Sequence, residues 1–190
     1  MLRAIALSIA SYNLLSAIRV SMLVVLLAKE LKLPAGTIGF FYSVSAVGGL
    51  LGALAAPGIA ARIGQGPAIW LPLAVAAPVQ LLIPLARPGR LLWLAAVAYL
   101  VVWFCVAVNN ITQVSLRQRL TPERLLGRMN ATMRFLVWGT TPIGGFAGGL
   151  IGQLFGPRPA LWLAAAGGVI PVLPLIRSPL RRMRTLSGGG

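Results

Sequence analysis

The chain has 190 residues, of which 58% are hydrophobic and only 10% charged, with a mean hydropathy of +0.88 and a formal net charge of +15. A soluble domain carries about 25% charged residues; here the charges cluster between apolar runs of about 17 to 25 residues, the length that crosses roughly 30 Å of hydrocarbon. This balance excludes a soluble domain, and the arginines at the ends of apolar runs point to lipid headgroups, not nucleic acid, as the anionic partner.

The pattern predicts an all-α integral membrane chain with six transmembrane helices, at about 4–28, 36–60, 67–86, 91–113, 135–155 and 160–176. The start, Met1-Leu-Arg3 and an apolar run, has the look of a signal peptide. The run continues to about Ala28 without a clear small-residue cleavage site, so an uncleaved first span is expected. Within that span Ser8, Tyr12, Ser16 and Arg19 fall inside an arc of about 80° at 100° per residue. Arg19 lies roughly 14 Å from the nearer end of the span, too deep to snorkel. A charge at that depth costs at least about 2.5 to 3.5 kcal/mol, so Arg19 either faces a wet cavity or braces buried carbonyls.

After a short loop from Lys29 to Ala35, the second span carries small residues at intervals of four, among them Gly48 and Gly52. Such rows let helix backbones approach closely in lipid, whether for fixed packing or for a sliding interface. A tight turn, Ala61 to Gly66, leads to the third span, which its interior prolines should bend. Gln80 in that span reads as a contact between helices. The turn Arg87-Pro-Gly-Arg90 follows.

In the fourth span Tyr99, Trp103, Asn110 and Gln113 share a second arc of about 80°. The amides fit helix-helix glue and cavity lining equally. The stretch from Val114 to Arg134 reads as a long basic loop; within it Thr121-Pro122-Glu123 has the form of a helix start, with a Thr cap, Pro at the first position and an acid in the first turn. The fifth span again has a glycine row, Gly144, Gly148 and Gly152, and the sixth is followed by a basic segment and a flexible tail at 185–190.

The residue inventory narrows the chemistry. Histidine is absent, Glu30 and Glu123 are the only acids, and the single cysteine, Cys105, lies inside an apolar run. Histidine triads, paired carboxylates and metal sites all lack parts, which gives a chain that is not an enzyme and needs no metal or cofactor. Six spans put both termini on one side. With the termini inside, eleven basic residues are inner (Arg3, Arg62, five from Arg117 to Arg134, and four from Arg177 to Arg184). Five are outer: Lys29, Lys32, Arg87, Arg90 and Arg158. The positive-inside rule therefore places the termini in the cytoplasm. Arginine is strongly preferred over lysine, and alanine and glycine are abundant. That bias is associated with GC-rich bacterial genomes, so a bacterial cell (inner) membrane is expected.

The segment Asn109…Gln113-Val-Ser-Leu-Arg-Gln-Arg-Leu-Thr-Pro-Glu-Arg-Leu-Leu-Gly-Arg-Met-Asn-Ala-Thr132 closely resembles the loop between helices ten and eleven of major facilitator superfamily transporters. It is most similar to the bacterial drug and siderophore exporter branch that includes enterobactin exporters. Arg134-Phe-Leu-Val-Trp-Gly-Thr-Thr-Pro-Ile-Gly-Gly145 resembles helix eleven of that branch. The resemblance covers the whole chain and implies the C-terminal six-helix half of the fold, residues 1–184. Two three-helix repeats, 1–86 and 91–176, would be joined at 87–90, with substrate held between halves near the midplane. The turn after the second helix stands where the family carries Gly-x-x-x-Asp-Arg-x-Gly-Arg: Arg62 and Gly64 match, while Pro57, Ala61 and Gln65 depart from it.

From this resemblance follow expectations of function. It implies secondary active efflux of small molecules by alternating access, together with a second six-helix half or another copy of the chain. Tyr12, Arg19, Tyr99, Trp103, Asn110 and Gln113 would face the pathway. Arg62, Gly64, Glu123, Arg124, Gly127 and Arg128 would form a cytoplasmic latch, which lacks its family acid at Ala61. Neither acid of the chain lies inside a span, so a proton relay would come from elsewhere. The alternative is a non-transporting membrane assembly protein or a truncated transporter fragment.

Overall fold

The computed structural model describes residues 2–179; the expected tail at 185–190, and Arg181, Arg182 and Arg184, lie outside the described residues. The described residues are helical, with no strand: α1 (Leu2–Val25), α2 (Ala35–Ile63), α3 (Gln65–Val79), α4 (Arg90–Leu120), α5 (Glu123–Phe155), α6 (Pro157–Ala166) and α7 (Val172–Ile176). A π turn, Leu26–Glu30, prolongs α1; a 3-10 segment, Gln80–Leu85, prolongs α3; and a 3-10 turn, Gly167–Val169, links α6 to α7. Six segments result that are long and apolar enough to cross a bilayer, ending with Pro157–Ile176, and this is a multi-pass membrane protein.

The largest departure from the sequence reading is at the basic stretch. Val114 to Arg134 is not a long loop: α4 runs on to Leu120 and α5 begins at Glu123, leaving Thr121 and Pro122 as the whole connection. Arginine is a good helix former, and a helix of 31 residues spans about 46 Å, more than the roughly 30 Å hydrocarbon layer. Both helices therefore carry their arginines past the apolar slab without unwinding. Thr121 does not cap α5. Its Oγ1 donates 2.8 Å to the carbonyl of Arg117 and closes the end of α4, and Pro122 is the N-cap residue of α5.

The first and second helices of each triplet barely touch each other. Instead α1 packs on α5 and α6, and α4 packs on α2 and α3, so the two triplets exchange partners. Glycine makes both main crossings possible. A Cβ at Gly48 would overlap the Leu100 carbonyl, and one at Gly52 the Phe104 carbonyl. On the other side a Cβ at Gly144 would overlap the Leu14 carbonyl, at Gly148 it would stand 3.0 Å from Ile18 Cα, and at Gly152 it would strike Met22 Sδ. The glycines repeat every four residues, as do the backbones they face, which is the geometry of a small-xxx-small crossing in lipid. Gly64 and Gly156 stand at matching places, each the sole link between the second and third helices of a triplet. Their φ values of 93° and 89° are open to glycine with little cost.

Two apolar cores occupy opposite ends of the bundle. One, around Leu23, Leu26, Phe41, Ile83 and Tyr99, lies at the end with the α1–α2 loop. The smaller one, around Ile9, Ile69, Leu116 and Met133, lies at the end with the α4–α5 turn. At the first end Arg158 ties three elements: it pairs through Nε with Glu30, and its Nη1 and Nη2 each donate 2.8 Å, to the carbonyls of Pro84 and Ala86. The exposed ion pair adds little by itself. The two carbonyl bonds satisfy the end of the third span, so Arg158→Ala should cost about 1 to 3 kcal/mol. Thermal unfolding in detergent checks this; Arg158→Lys should recover less than half of the loss, because an ammonium cannot reach both carbonyls as a fork does.

Candidate functional site

A polar cleft of about 530 Å³ opens between α1, α4 and α5, over the smaller core. Ser8, Tyr12, Asn13 and Ser16 reach it from α1, where turn-by-turn spacing puts them on one face. From α4 come Trp103, Asn110, Gln113 and Arg117, and from α5 come Asn130, Arg134 and Trp138. Its amides are partly committed: Asn109 donates to the Ile69 carbonyl at 2.6 Å, Asn13 to the Ile9 carbonyl at 2.8 Å, and Gln113 to Asn110 Oδ1 at 3.1 Å. Asn109 thus holds α4 to α3 behind the cleft wall.

Four of the expected pathway residues, Tyr12, Trp103, Asn110 and Gln113, meet on this cleft. Arg19 and Tyr99 do not line it; both are buried beneath, 3% and 1% exposed. Arg19 Nη2 donates to Tyr12 Oη and Ser16 Oγ, each at 3.1 Å, and Nη1 donates to Gln80 Oε1. Its guanidinium carbon lies 5.7 Å from the Tyr12 ring centroid and 6.0 Å from that of Tyr99, within cation–π range. Tyr99 in turn stacks on Phe41 and meets Tyr42 and Trp103 edge to face. The charge is thus held in a cage at the floor of the cleft, where α1, α4 and the 3-10 turn of the third span converge. Gly168 lets the sixth span close on this cage, since a Cβ there would stand 2.8 Å from Gln80 Nε2.

The expected latch residues are scattered along the end with the α4–α5 turn. Arg62, Glu123, Arg124, Gly127 and Arg128 are exposed, and Gly64 forms the α2–α3 turn. Among the described residues the Glu123 side chain makes no hydrogen bond or ion pair.

Arg117 and Arg134 were missed as cleft residues because the stretch containing them reads as a loop. Arg117 lies seven residues beyond Asn110, only about 20° from it around a helix, so carrying the polar stripe two turns further reaches it. On α5, Asn130, Arg134 and Trp138 recur every four residues in the same way.

Comparison with family models, with curated proteins and with solved structures finds no match for this chain. Glu30, Glu123 and Cys105 form no group able to hold a metal ion among the described residues.

Proposed function

We propose that this chain is one six-helix half of a major facilitator-type transporter, exporting small molecules across a bacterial cell membrane by alternating access, with both termini cytoplasmic. The observation that carries the reading is the exchange of partners between the triplets. Paired glycine crossings, α2 on α4 and α5 on α1, and paired single-glycine turns at Gly64 and Gly156 fit two inverted three-helix repeats. The polar cleft supports it further. It lies at the end of the bundle assigned to the cytoplasm, and the larger apolar core fills the opposite end. One helix face also lacks a protein partner: Phe135, Trp138 and Phe146 on α5 are each at least 70% exposed. A second half, or a second copy, would cover the open side of the cleft.

The test is co-expression with an N-terminal half of a facilitator transporter in cells loaded with a fluorescent efflux dye. Efflux above that of either half alone, abolished by a protonophore, is the expected result. Normal protein level with no added flux from any such half, or from the chain alone, would instead favour a membrane assembly role.

A further inference from the structure

The charge of the cleft is one-sided. Arg117 and Arg134 line it, while neither Glu30 nor Glu123, the only acids in the chain, does so. Arg117 is 8% exposed, and its Nε is buried without a partner. Among the described residues the Arg117 side chain makes no hydrogen bond or ion pair. Arg19, the other buried arginine, also has an unpartnered Nε, but its Nη atoms are tied to Gln80, Tyr12 and Ser16, and Asn109 is tied to a carbonyl. An uncompensated buried guanidinium is costly, and its donor fork matches the two oxygens of a carboxylate or the oxygens of a phosphate. In the same cleft the Arg134 guanidinium carbon sits 6.0 Å from the ring centroid of Trp138. Trp138 and Trp103, 70% and 41% exposed, offer flat apolar surface within the same cleft.

We infer that the cleft binds an amphipathic organic anion, its acid group held by Arg117 and Arg134 and its planar body lying against Trp103 and Trp138. A volume of about 530 Å³ suits a ligand of one or two fused rings with a charged head. The amide nitrogen of Asn110 and the amide oxygen of Gln113, not used in their mutual bond, are available to a ring substituent. A cationic ligand would meet two arginines and no carboxylate. Calling the anion a substrate rests on the transport reading; its binding does not.

The experiment is equilibrium binding to the full chain in phosphatidylcholine nanodiscs, read by tryptophan fluorescence. The probes are 2-naphthoate, neutral 2-naphthamide and cationic 2-naphthylmethylammonium. Naphthoate should bind saturably and roughly tenfold or more tighter than the amide, the worth of one charge-assisted contact. The cation should bind more weakly still. Arg117→Gln and Arg134→Gln should each weaken naphthoate roughly tenfold and leave naphthamide unchanged. Arg134 is exposed, so its variant tests the inference even if Arg117→Gln fails to fold. Equal affinity for naphthoate and naphthamide, no saturable naphthoate binding, or naphthoate affinity untouched by Arg134→Gln would each overturn it. A lipid phosphate is the rival source of the same chemistry. If phosphatidylglycerol in the nanodisc abolishes naphthoate binding, the arginines hold a headgroup and the small-molecule assignment falls. Efflux of a neutral dye by the paired halves, together with equal binding of naphthoate and naphthamide, would leave the transport reading standing and sink this one alone.

Discussion

Gly48→Leu should prevent α2 and α4 from closing and so remove the folded bundle from detergent extracts. The first atom of the new side chain would overlap the Leu100 carbonyl, and a backbone atom cannot rotate away as a side chain can. Overpacking a well-packed contact costs about 1 to 3 kcal/mol where side chains can adjust; here the helices themselves must separate. Gly52, one turn along, would lose its contact with Phe104 in the same movement. Gly144→Leu should act alike through Leu14, because α5 crosses α1 as α2 crosses α4. The controls are Gly145→Ala and Gly149→Ala, where a Cβ meets nothing within 4 Å. They should shift stability by no more than about 0.5 kcal/mol. Size-exclusion profiles after graded heating separate the outcomes. A well-behaved Gly48→Leu protein with an unchanged unfolding midpoint would refute the close crossing.

The second large effect is expected at the cage beneath the cleft. Gln80→Leu removes the acceptor of Arg19 Nη1, and Arg19 Nε already lacks one. The lost bond to a charged donor costs about 1.5 to 3 kcal/mol, and the charge remains at bilayer depth, where the alternative to a protein partner is hydrocarbon. Arg19→Met should also destabilise, since Gln80, Tyr12 and Ser16 each lose their donor. The double variant, Arg19→Met with Gln80→Leu, should recover much of either loss, because replacing both partners by apolar groups of similar size removes the buried charge as well as its bonds. A double-mutant cycle on unfolding in detergent or nanodiscs reads the coupling directly. Strictly additive losses would mean that Arg19 and Gln80 do not depend on each other. In the paired-half efflux assay, protein level and flux should fall together for Arg19→Met, as for a strut. Loss of flux at full protein level would place Arg19 in the pathway after all.

The cage and the cleft were legible to different degrees. The stripe Ser8, Tyr12, Ser16, Arg19 is a matter of helical period, so a sequence reading places these residues on one face. Which of them faces a cavity depends on what packs opposite, and Gln80 is 61 positions away in the chain. From its depth alone Arg19 reads as cavity lining ahead of a brace; with the third span in place its guanidinium proves to be enclosed. Tyr99 behaves in the same way: its spacing puts it with Trp103, but stacking on Phe41 draws it under the floor. Arg117 and Arg134 show the opposite failure. Arginine density reads as a loop, although nothing in arginine breaks a helix, and that reading conceals two cleft residues.

By itself the sequence determined the number of spans, their approximate places, the absence of histidine and embedded acid, and the glycine rows. These follow from local quantities: run length against bilayer thickness, residue inventory, and a repeat of four along one helix. Only the tertiary structure decided which glycine row meets which helix, that the two triplets exchange partners, and that the cleft carries two arginines and no acid. Those facts depend on contacts between segments far apart in the chain. In lipid, where apolar faces are alike to one another, close backbone approach and polar satisfaction choose the partners. Neither can be counted along a single helix.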